Sequence, residues 1–219
     1  MTAALINRGL YDVHETAHLL GVSADRIVRW ATPSTWGPAI VPASSERFFS
    51  FEELVSLQVV AVLHARGLSD HSISNGVQYL QKSTALNYPL ASKVVLESLA
   101  TSGSGFLADV FGDGYVDIGL KGHGVFQEVV ALYLSKVTFD TNGVPQSWVP
   151  TAGVRLDPRI QAGAACVDGT RIPTETIAEM LEDAEPEDVA LDFDISDEAV
   201  LIAEAFEEML RTGAGLAAV

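Results

Sequence analysis

The chain has 219 residues, 48% of them hydrophobic, which is enough for one large domain or two small globular domains. Its single cysteine, Cys166, excludes an internal disulfide and fits a reducing compartment. No stretch approaches the roughly 18 consecutive apolar residues of a membrane span, and residues 1–9 lack the apolar run of a secretory signal. We therefore expect a globular, cytoplasmic protein that does not enter a membrane.

The formal net charge of −16 is concentrated at the C-terminal end. Residues 1–82 carry six basic and seven acidic side chains, whereas residues 151–219 carry four and sixteen. Between Ile172 and Leu210 there are fourteen carboxylates and no lysine or arginine. This segment should repel DNA, because protein–DNA affinity comes largely from cations that displace condensed counterions. It is either a solvated acidic face or a surface matched to a basic partner.

The start of the chain predicts a helix-turn-helix. Asp12 precedes a short apolar pattern of helical spacing, and Gly21 supplies the permissive backbone that ends it. Ser23 is a good N-cap for a second helix, from Ala24 to about Ala31. In helix-turn-helix proteins the second helix lies in the major groove of DNA.

The second helix separates an apolar face from a basic one. Ile27 and Trp30 fall three residues apart on the face that faces a core, and two arginines share another face. Guanidinium groups there can reach phosphates and base edges. The candidate DNA-binding residues are Ser23, Arg26 and Arg29 of this helix and Arg47, which follows it.

The rest of the first 82 residues predicts a wing and two more helices. Residues 32–46 are rich in Pro, Ser and Gly, as a wing would be. Ser50 then caps a helix that Gly67 stops, and a further helix starts near Ser69. The side chains of the first of these helices that are spaced to face a core are Leu54, Leu57, Val60, Ala61 and His64. The apolar faces after Ser50 exceed what so small a module needs, and a single recognition helix reads too few base pairs for useful specificity. We therefore expect a symmetric homodimer that binds a two-fold site.

These signals together resemble the MerR-type winged helix-turn-helix. The matching residues are the runs from Tyr11 to Ser23 and from Arg47 to Leu54, with Arg29-Trp30 between them. The resemblance implies that the second helix enters the major groove, that the wing touches the DNA backbone and that the protein acts as a dimer. Asp25 and Val28 depart from the pattern, since such proteins often carry groove-facing basic residues there.

Residues 83–150 predict a small α+β connector. Pro89 can open a helix that breaks at residues 101–105, and another helix is expected near residues 127–134. Recurring glycines predict tight turns between short strands. These glycines are Gly112, Gly114, Gly119, Gly122 and Gly124. A β-hairpin is expected around Asn142-Gly143.

Residues 151–219 predict a hairpin followed by three short helices. Residues 154–158 form an extended piece that a proline stops, and residues 165–173 have the pattern of a hairpin. Thr174, Pro186 and Ser196 then mark three helix starts. The fold class is therefore α+β and mainly helical, with domains at 1–82, 83–150 and 151–219.

Gly163 and the run Gly169-Thr170-Arg171-Ile172-Pro173, followed by three helices, resemble a prokaryotic family of small domains first described without known function. Such domains are often encoded beside PIN-like ribonucleases as presumed antitoxins. With the MerR-like head, the chain resembles VapB-type antitoxins of toxin–antitoxin pairs. The resemblance implies that the chain neutralises a PIN-like ribonuclease toxin by binding it and represses its own operon through operator DNA.

The sequence predicts no enzyme, metal site or cofactor. His14 and His18 have helical i, i+4 spacing, but two nitrogens without a third ligand make a weak zinc site. The candidate toxin-binding residues are Glu204, Glu207 and Glu208. The simpler alternative is that they form the solvent-exposed face of an amphipathic helix. A second function stays open: a one-component MerR-like transcriptional regulator whose middle and C-terminal regions sense a small molecule.

Overall fold

The computed structural model describes residues 9–34, 37–43, 45, 48–101, 107, 109–110, 130–131 and 133–212. Its fold is α+β and mainly helical, which confirms the predicted class. The elements, in chain order, are α1 (Val13–Leu20), α2 (Ala24–Ala31), α3 (Phe51–Ala65), α4 (Asp70–Thr84), a 3-10 helix (Pro89–Ala91), α5 (Lys93–Thr101), β1 (Val137–Phe139), β2 (Pro145–Thr151), β3 (Val154–Leu156), a second 3-10 helix (Gln161–Gly163), β4 (Ala165–Val167), α6 (Thr174–Met180), α7 (Pro186–Phe193) and α8 (Asp197–Arg211). Arg47 and the five glycines expected to form tight turns lie outside the described residues.

Helices α1 and α2 begin and end where the sequence predicts. The Asp12 carboxylate accepts hydrogen bonds from the backbone N–H groups of His14 and Glu15, at 2.7 and 2.8 Å. Gly21 ends α1 in the left-handed conformation, at φ 63°. Ser23 caps α2, since its hydroxyl accepts from the Arg26 N–H at 3.3 Å. Local side-chain to backbone bonds therefore set the turn between the two helices.

Helix α3 is the central helix of the core. Ser50 and Glu53 form a capping box, in which Glu53 Oε2 accepts from the Ser50 N–H at 2.7 Å. Glu53 is fully buried, and its Oε1 accepts from the Tyr88 hydroxyl at 2.6 Å. Nearly every residue from Phe51 to Leu63 is buried by the chain's own elements. The helix is thus buried all round and leaves no apolar face for a second copy, so the homodimer stays a prediction without this support.

The four strands form one antiparallel sheet in the order β1-β2-β3-β4. β1 and β2 pair across the turn at Asn142-Gly143, as expected, and the Asp140 carboxylate accepts from the N–H groups of Asn142 and Val144 at 2.8 Å each. The domain boundary predicted between residues 150 and 151 falls within β2. The predicted connector and the C-terminal segment therefore share a sheet.

Two hydrophobic clusters hold the described residues together. The larger one extends from Tyr11 of the N-terminal segment to Phe206 of α8. The smaller one lies among α6, α7 and α8 and contains Ile177, Val189 and Val200. The C-terminal helices therefore have a small core of their own, and α8 is also anchored in the main core. Within the described part of the chain, no helix combines the length and apolar character needed to cross a membrane.

Candidate nucleic-acid and protein interfaces

Arg29 is the exposed arginine on the outward face of α2. Ile27 and Trp30 are fully buried, as their spacing predicts. Arg29 is exposed, and Asp25 and Val28 are exposed beside it, Val28 to 45%. The surface that would meet DNA therefore combines one cation with a carboxylate and an apolar side chain. One cation beside a carboxylate offers few phosphate contacts, so any DNA binding expected of this face is modest and salt-sensitive.

Arg26 lies at the edge of this face and is held by the protein. Its guanidinium is 5.9 Å from the centroid of the Trp30 ring and contacts Nε2 of His64, near the end of α3. A guanidinium has only donors, so His64 Nε2 is the acceptor in this contact. Nδ1 lies 3.2 Å from Asp70 Oδ1, and that oxygen accepts from Trp30 Nε1 at 3.0 Å. We call these four residues the Arg26 cluster.

Sequence reasoning missed two members of the Arg26 cluster. The spacing of α3 placed His64 on the core-facing side, but its side chain is 34% exposed. Asp70 is the first residue of α4, where an acidic residue is ordinary. The sequence signal that could have revealed the cluster was His64 itself, a titratable side chain at the end of the apolar stripe of α3. Of the other predicted DNA contacts, Ser23 uses its hydroxyl as a helix cap, and Arg47 lies outside the described residues.

The N-terminal segment is fastened to the C-terminal segment by a buried hydrogen bond. The Tyr11 hydroxyl donates to the Gly163 carbonyl at 2.9 Å, and the Leu10 N–H donates to the Ala162 carbonyl at 3.1 Å. Burial raises the pKa of Tyr11 well above its usual value. A Cβ atom on Gly163 would stand 2.3 Å from the Tyr11 hydroxyl oxygen, so only glycine fits there. Gly163 thus has a packing role between segments.

The run Gly169-Thr170-Arg171-Ile172-Pro173 builds a tight turn. Gly169 has φ +80°, and the Thr170 hydroxyl donates to the Val167 carbonyl at 2.8 Å and accepts from the Ile172 N–H at 3.1 Å. Pro173 closes the turn through an antiparallel bridge to Cys166. Gly169, Thr170 and Pro173 therefore have structural roles in the turn and need no ligand to explain them.

An acidic groove of about 620 Å³ separates α1 from α6 and α8. The carboxylates that line it are Asp12, Glu15, Glu175, Glu179, Glu182 and Glu207. Burial, followed by the nearby charges of Asp12 and Glu175, raises the pKa of Glu15 to about 7. His14 and His18 also line this groove. In the described ranges, however, no three His, Cys, Asp or Glu side chains are arranged to hold a metal ion.

The three predicted toxin-binding glutamates do not form one surface. Glu204 and Glu208 are exposed on α8, and Glu208 pairs with Arg211 at 3.0 Å. Glu207 is half-buried in the acidic groove, where its carboxylate accepts a hydrogen bond from the Thr174 hydroxyl. Burial raises the pKa of Glu207. Only Glu204 and Glu208 are therefore placed to meet a partner directly.

A second groove, of about 700 Å³, lies where the start of α3 meets the β1–β2 turn. Its lining combines the fully buried Glu53 with Asn87, Gln146 and the half-exposed Arg159. The groove is large enough for a small polar molecule. It joins the helix after the helix-turn-helix to the sheet, so a ligand there would touch both parts of the chain.

The comparisons with known proteins cover the C-terminal segment and the fold. DUF433, a protein family of unknown function, matches residues 154–206. The match runs from β3 into α8 and includes Gly163 and the turn at 169–173. It confirms the coarser part of the predicted resemblance, which is to a small domain without known function. No curated protein matches the chain.

A solved structure resembles nearly the whole chain. The X-ray crystal structure of Rv2018 from Mycobacterium tuberculosis is 22% identical in sequence and has a TM-score of 0.69. The alignment covers 90% of this chain and 98% of that chain. The likeness shows that the two proteins share a fold, and at this identity it carries no statement about function.

Proposed function

We propose that the chain is the DNA-binding antitoxin of a type II toxin–antitoxin pair, similar to VapB-type antitoxins with a MerR-like head. Its helix-turn-helix binds operator DNA and represses its own operon. Its acidic C-terminal helices bind a PIN-like ribonuclease and cover the basic surface that grips RNA. The observation that supports this proposal most is the separation of charge between the N-terminal and C-terminal segments. Helix α2 exposes Arg29, whereas α7 and α8 expose a nearly uniform set of carboxylates.

The DNA-binding half of the proposal rests on α2. The helix is capped, its apolar face is buried, and Arg29 is exposed on the opposite side. We expect Arg29→Ala to weaken specific binding of the promoter fragment by about 1–3 kcal/mol, because one arginine–base contact supplies that much discrimination. Fluorescence anisotropy on the full chain measures this loss. Indifference of promoter affinity to Arg29→Ala would remove α2 as the reading helix.

The partner-binding half rests on the outer faces of α7 and α8. Two leucines stand exposed among the carboxylates there, Leu191 to 80% and Leu201 to 51%. Protein interfaces combine an apolar centre with a charged rim, and exposed leucines ringed by acids fit a basic surface with an apolar pocket. Association should be fast at low salt and slow steeply as salt screens the charges.

The first experiment is co-expression of the full chain with the product of the adjacent reading frame. Co-purification of the two proteins, with the chain suppressing ribonuclease activity in a dose-dependent manner, is the expected result. A neighbouring product that neither binds the chain nor cleaves RNA would contradict the antitoxin assignment.

Charge reversal then tests the surface. We expect Glu204→Lys with Glu208→Lys to abolish inhibition of the ribonuclease, because both side chains are exposed and their replacement leaves the groove around Glu207 intact. The matched control is Glu97→Lys with Asp109→Lys, two exposed carboxylates outside the C-terminal helices, which changes the net charge equally. Equal inhibition by both double variants would show that the neutralising surface lies elsewhere.

The groove at the start of α3 favours one alternative function. A one-component MerR-like regulator would bind a small molecule there and pass its effect to the helix-turn-helix. The two functions differ in what releases operator DNA: a partner protein in the first and a small ligand in the second. Release of the promoter fragment by the purified partner alone, without added small molecules, favours the antitoxin.

A further inference from the structure

We infer that His64 is a positioning residue that presets Arg26 as a phosphate clamp, so that Arg29 alone reads base edges from α2. The inference rests on the proposed binding of DNA by the helix-turn-helix. It assigns different tasks to two arginines that sequence reasoning treated alike. It also extends the DNA-binding machinery to α3 and α4.

The first step of the argument is where each arginine lies on α2. Arg29 is exposed on the side opposite the buried Ile27 and Trp30, where a groove-reading side chain must be. Arg26 is one helical turn before Trp30, at the border of the buried face, and is half-buried. A side chain at the flank of a recognition helix is closer to the sugar–phosphate backbone than to the base edges.

The second step is that Arg26 is held before any DNA arrives. Its guanidinium lies over the Trp30 ring and donates to His64 Nε2. His64 Nδ1 lies 3.2 Å from Asp70 Oδ1, and the same oxygen accepts a hydrogen bond from the Trp30 indole at 3.0 Å. The Trp30 ring and His64 thus both restrict the Arg26 side chain. An arginine ordered in advance loses less side-chain entropy when it meets a phosphate.

The third step is that, within the described part of the chain, the Arg26 guanidinium makes its side-chain hydrogen bond to the His64 imidazole. Arginine has five N–H donors, and the contact with His64 is made through Nη1. The described residues occupy none of the other donors of the fork, and these can donate to the oxygens of a phosphate. The cluster therefore orients the side chain and leaves its binding capacity in place.

The test compares His64→Ala, His64→Gln and the matched control His71→Ala, which removes an exposed histidine of α4. Each full-chain variant is titrated with the promoter duplex and with a scrambled duplex of equal length. We expect His64→Ala to weaken binding of both duplexes by the same factor, about two- to tenfold, which is the entropy cost of ordering one long side chain. His64→Gln, which keeps an acceptor, and His71→Ala should bind like the wild type.

A double-mutant cycle separates positioning from a general structural effect. In an Arg26→Ala background, His64→Ala should cause no further loss, because the side chain that it positions is already absent. Arg29→Ala should differ from both, since it reduces discrimination between the two duplexes. An additive loss in the cycle, or an altered preference between duplexes in His64→Ala, overturns the assignment.

A measurement without DNA tests the positioning of Arg26 directly. It separates this positioning from a loss of stability in the variant and from a failure of the proposed function. In side-chain NMR spectra the Arg26 Nε–H should be ordered in the wild type and in His64→Gln, and mobile in His64→Ala. If the wild-type chain binds no duplex, the proposed function fails and the clamp with it. If the wild type binds DNA but His64→Ala leaves either the affinity or the Arg26 signal unchanged, only the clamp fails.

Discussion

Replacing Gly163 by alanine should disrupt the contact between Tyr11 of the N-terminal segment and Gly163 of the C-terminal segment. Gly163 has φ +101°, and a Cβ there would lie 2.3 Å from the Tyr11 hydroxyl oxygen and 2.8 Å from Tyr11 Cζ. Ordinary van der Waals contact begins near 3.4 Å, so the ring must move by about 1 Å. That movement breaks the 2.9 Å hydrogen bond to the Gly163 carbonyl.

The expected loss of stability is the sum of three costs, less one gain from the unfolded chain. A left-handed backbone costs an alanine about 1–2 kcal/mol, and the stiffer unfolded chain returns about 0.4–1 kcal/mol. Overpacking against Tyr11 adds about 1–3 kcal/mol, and the buried carbonyl that loses its donor adds about 1–3 kcal/mol. We therefore expect Gly163→Ala to lower the free energy of unfolding by about 2–8 kcal/mol, a large share of the roughly 5–15 kcal/mol that a protein has.

Gly169→Ala is the matched control, because Gly169 has φ +80° and no atom within 4 Å of its added Cβ. It should lose only about 1 kcal/mol, the backbone cost alone. Urea unfolding followed by circular dichroism measures both variants. Tyr11→Phe removes the closest contact, so its combination with Gly163→Ala should lose less than the two single variants together. Equal losses for Gly163→Ala and Gly169→Ala would refute the packing argument.

Three further predictions concern titration, a buried carboxylate and the thiol. Because the pKa of folded Glu15 is raised from 4.5 to about 7, its protonated form stabilises the fold at low pH, and that contribution is lost as the pH rises from 4.5 to 7. The melting temperature of the wild type relative to Glu15→Gln should fall across this window, and parallel profiles would contradict the sign. Tyr88→Phe should lower the free energy of unfolding by about 1–3 kcal/mol, because it removes a donor from the buried Glu53 carboxylate. The control Tyr79→Phe, at an exposed site, should change that free energy by under about 0.5 kcal/mol. Equal losses for the two variants in chemical denaturation would count against the role of the Tyr88 hydroxyl. Cys166 is buried, and burial raises the pKa of its thiol, so alkylation should be slow until urea unfolds the chain; rapid modification of the folded protein would show that the site opens.

The sequence alone determines the local elements of this protein. The caps at Asp12, Ser23 and Ser50, the end of α1 at Gly21 and the hairpin at Asn142-Gly143 all lie where the pattern predicts them. Each signal joins residues within about four positions of one another, so a side chain and the backbone it bonds are read together. The charge asymmetry is likewise a property of the sequence and needs no coordinates.

Only the tertiary structure decides which distant residues meet. Arg26 and His64 are 38 positions apart, and Tyr11 and Gly163 are 152 apart, so no local pattern connects them. Glu207 has the spacing of a wet face but turns into a groove, because α6 places Thr174 against it. Periodicity reports which side of a helix is apolar, whereas burial depends on what packs there. Helix α3 is covered by α1, α4, the first 3-10 helix and β2, and this packing buries nearly all of its residues but leaves His64 near its end partly exposed.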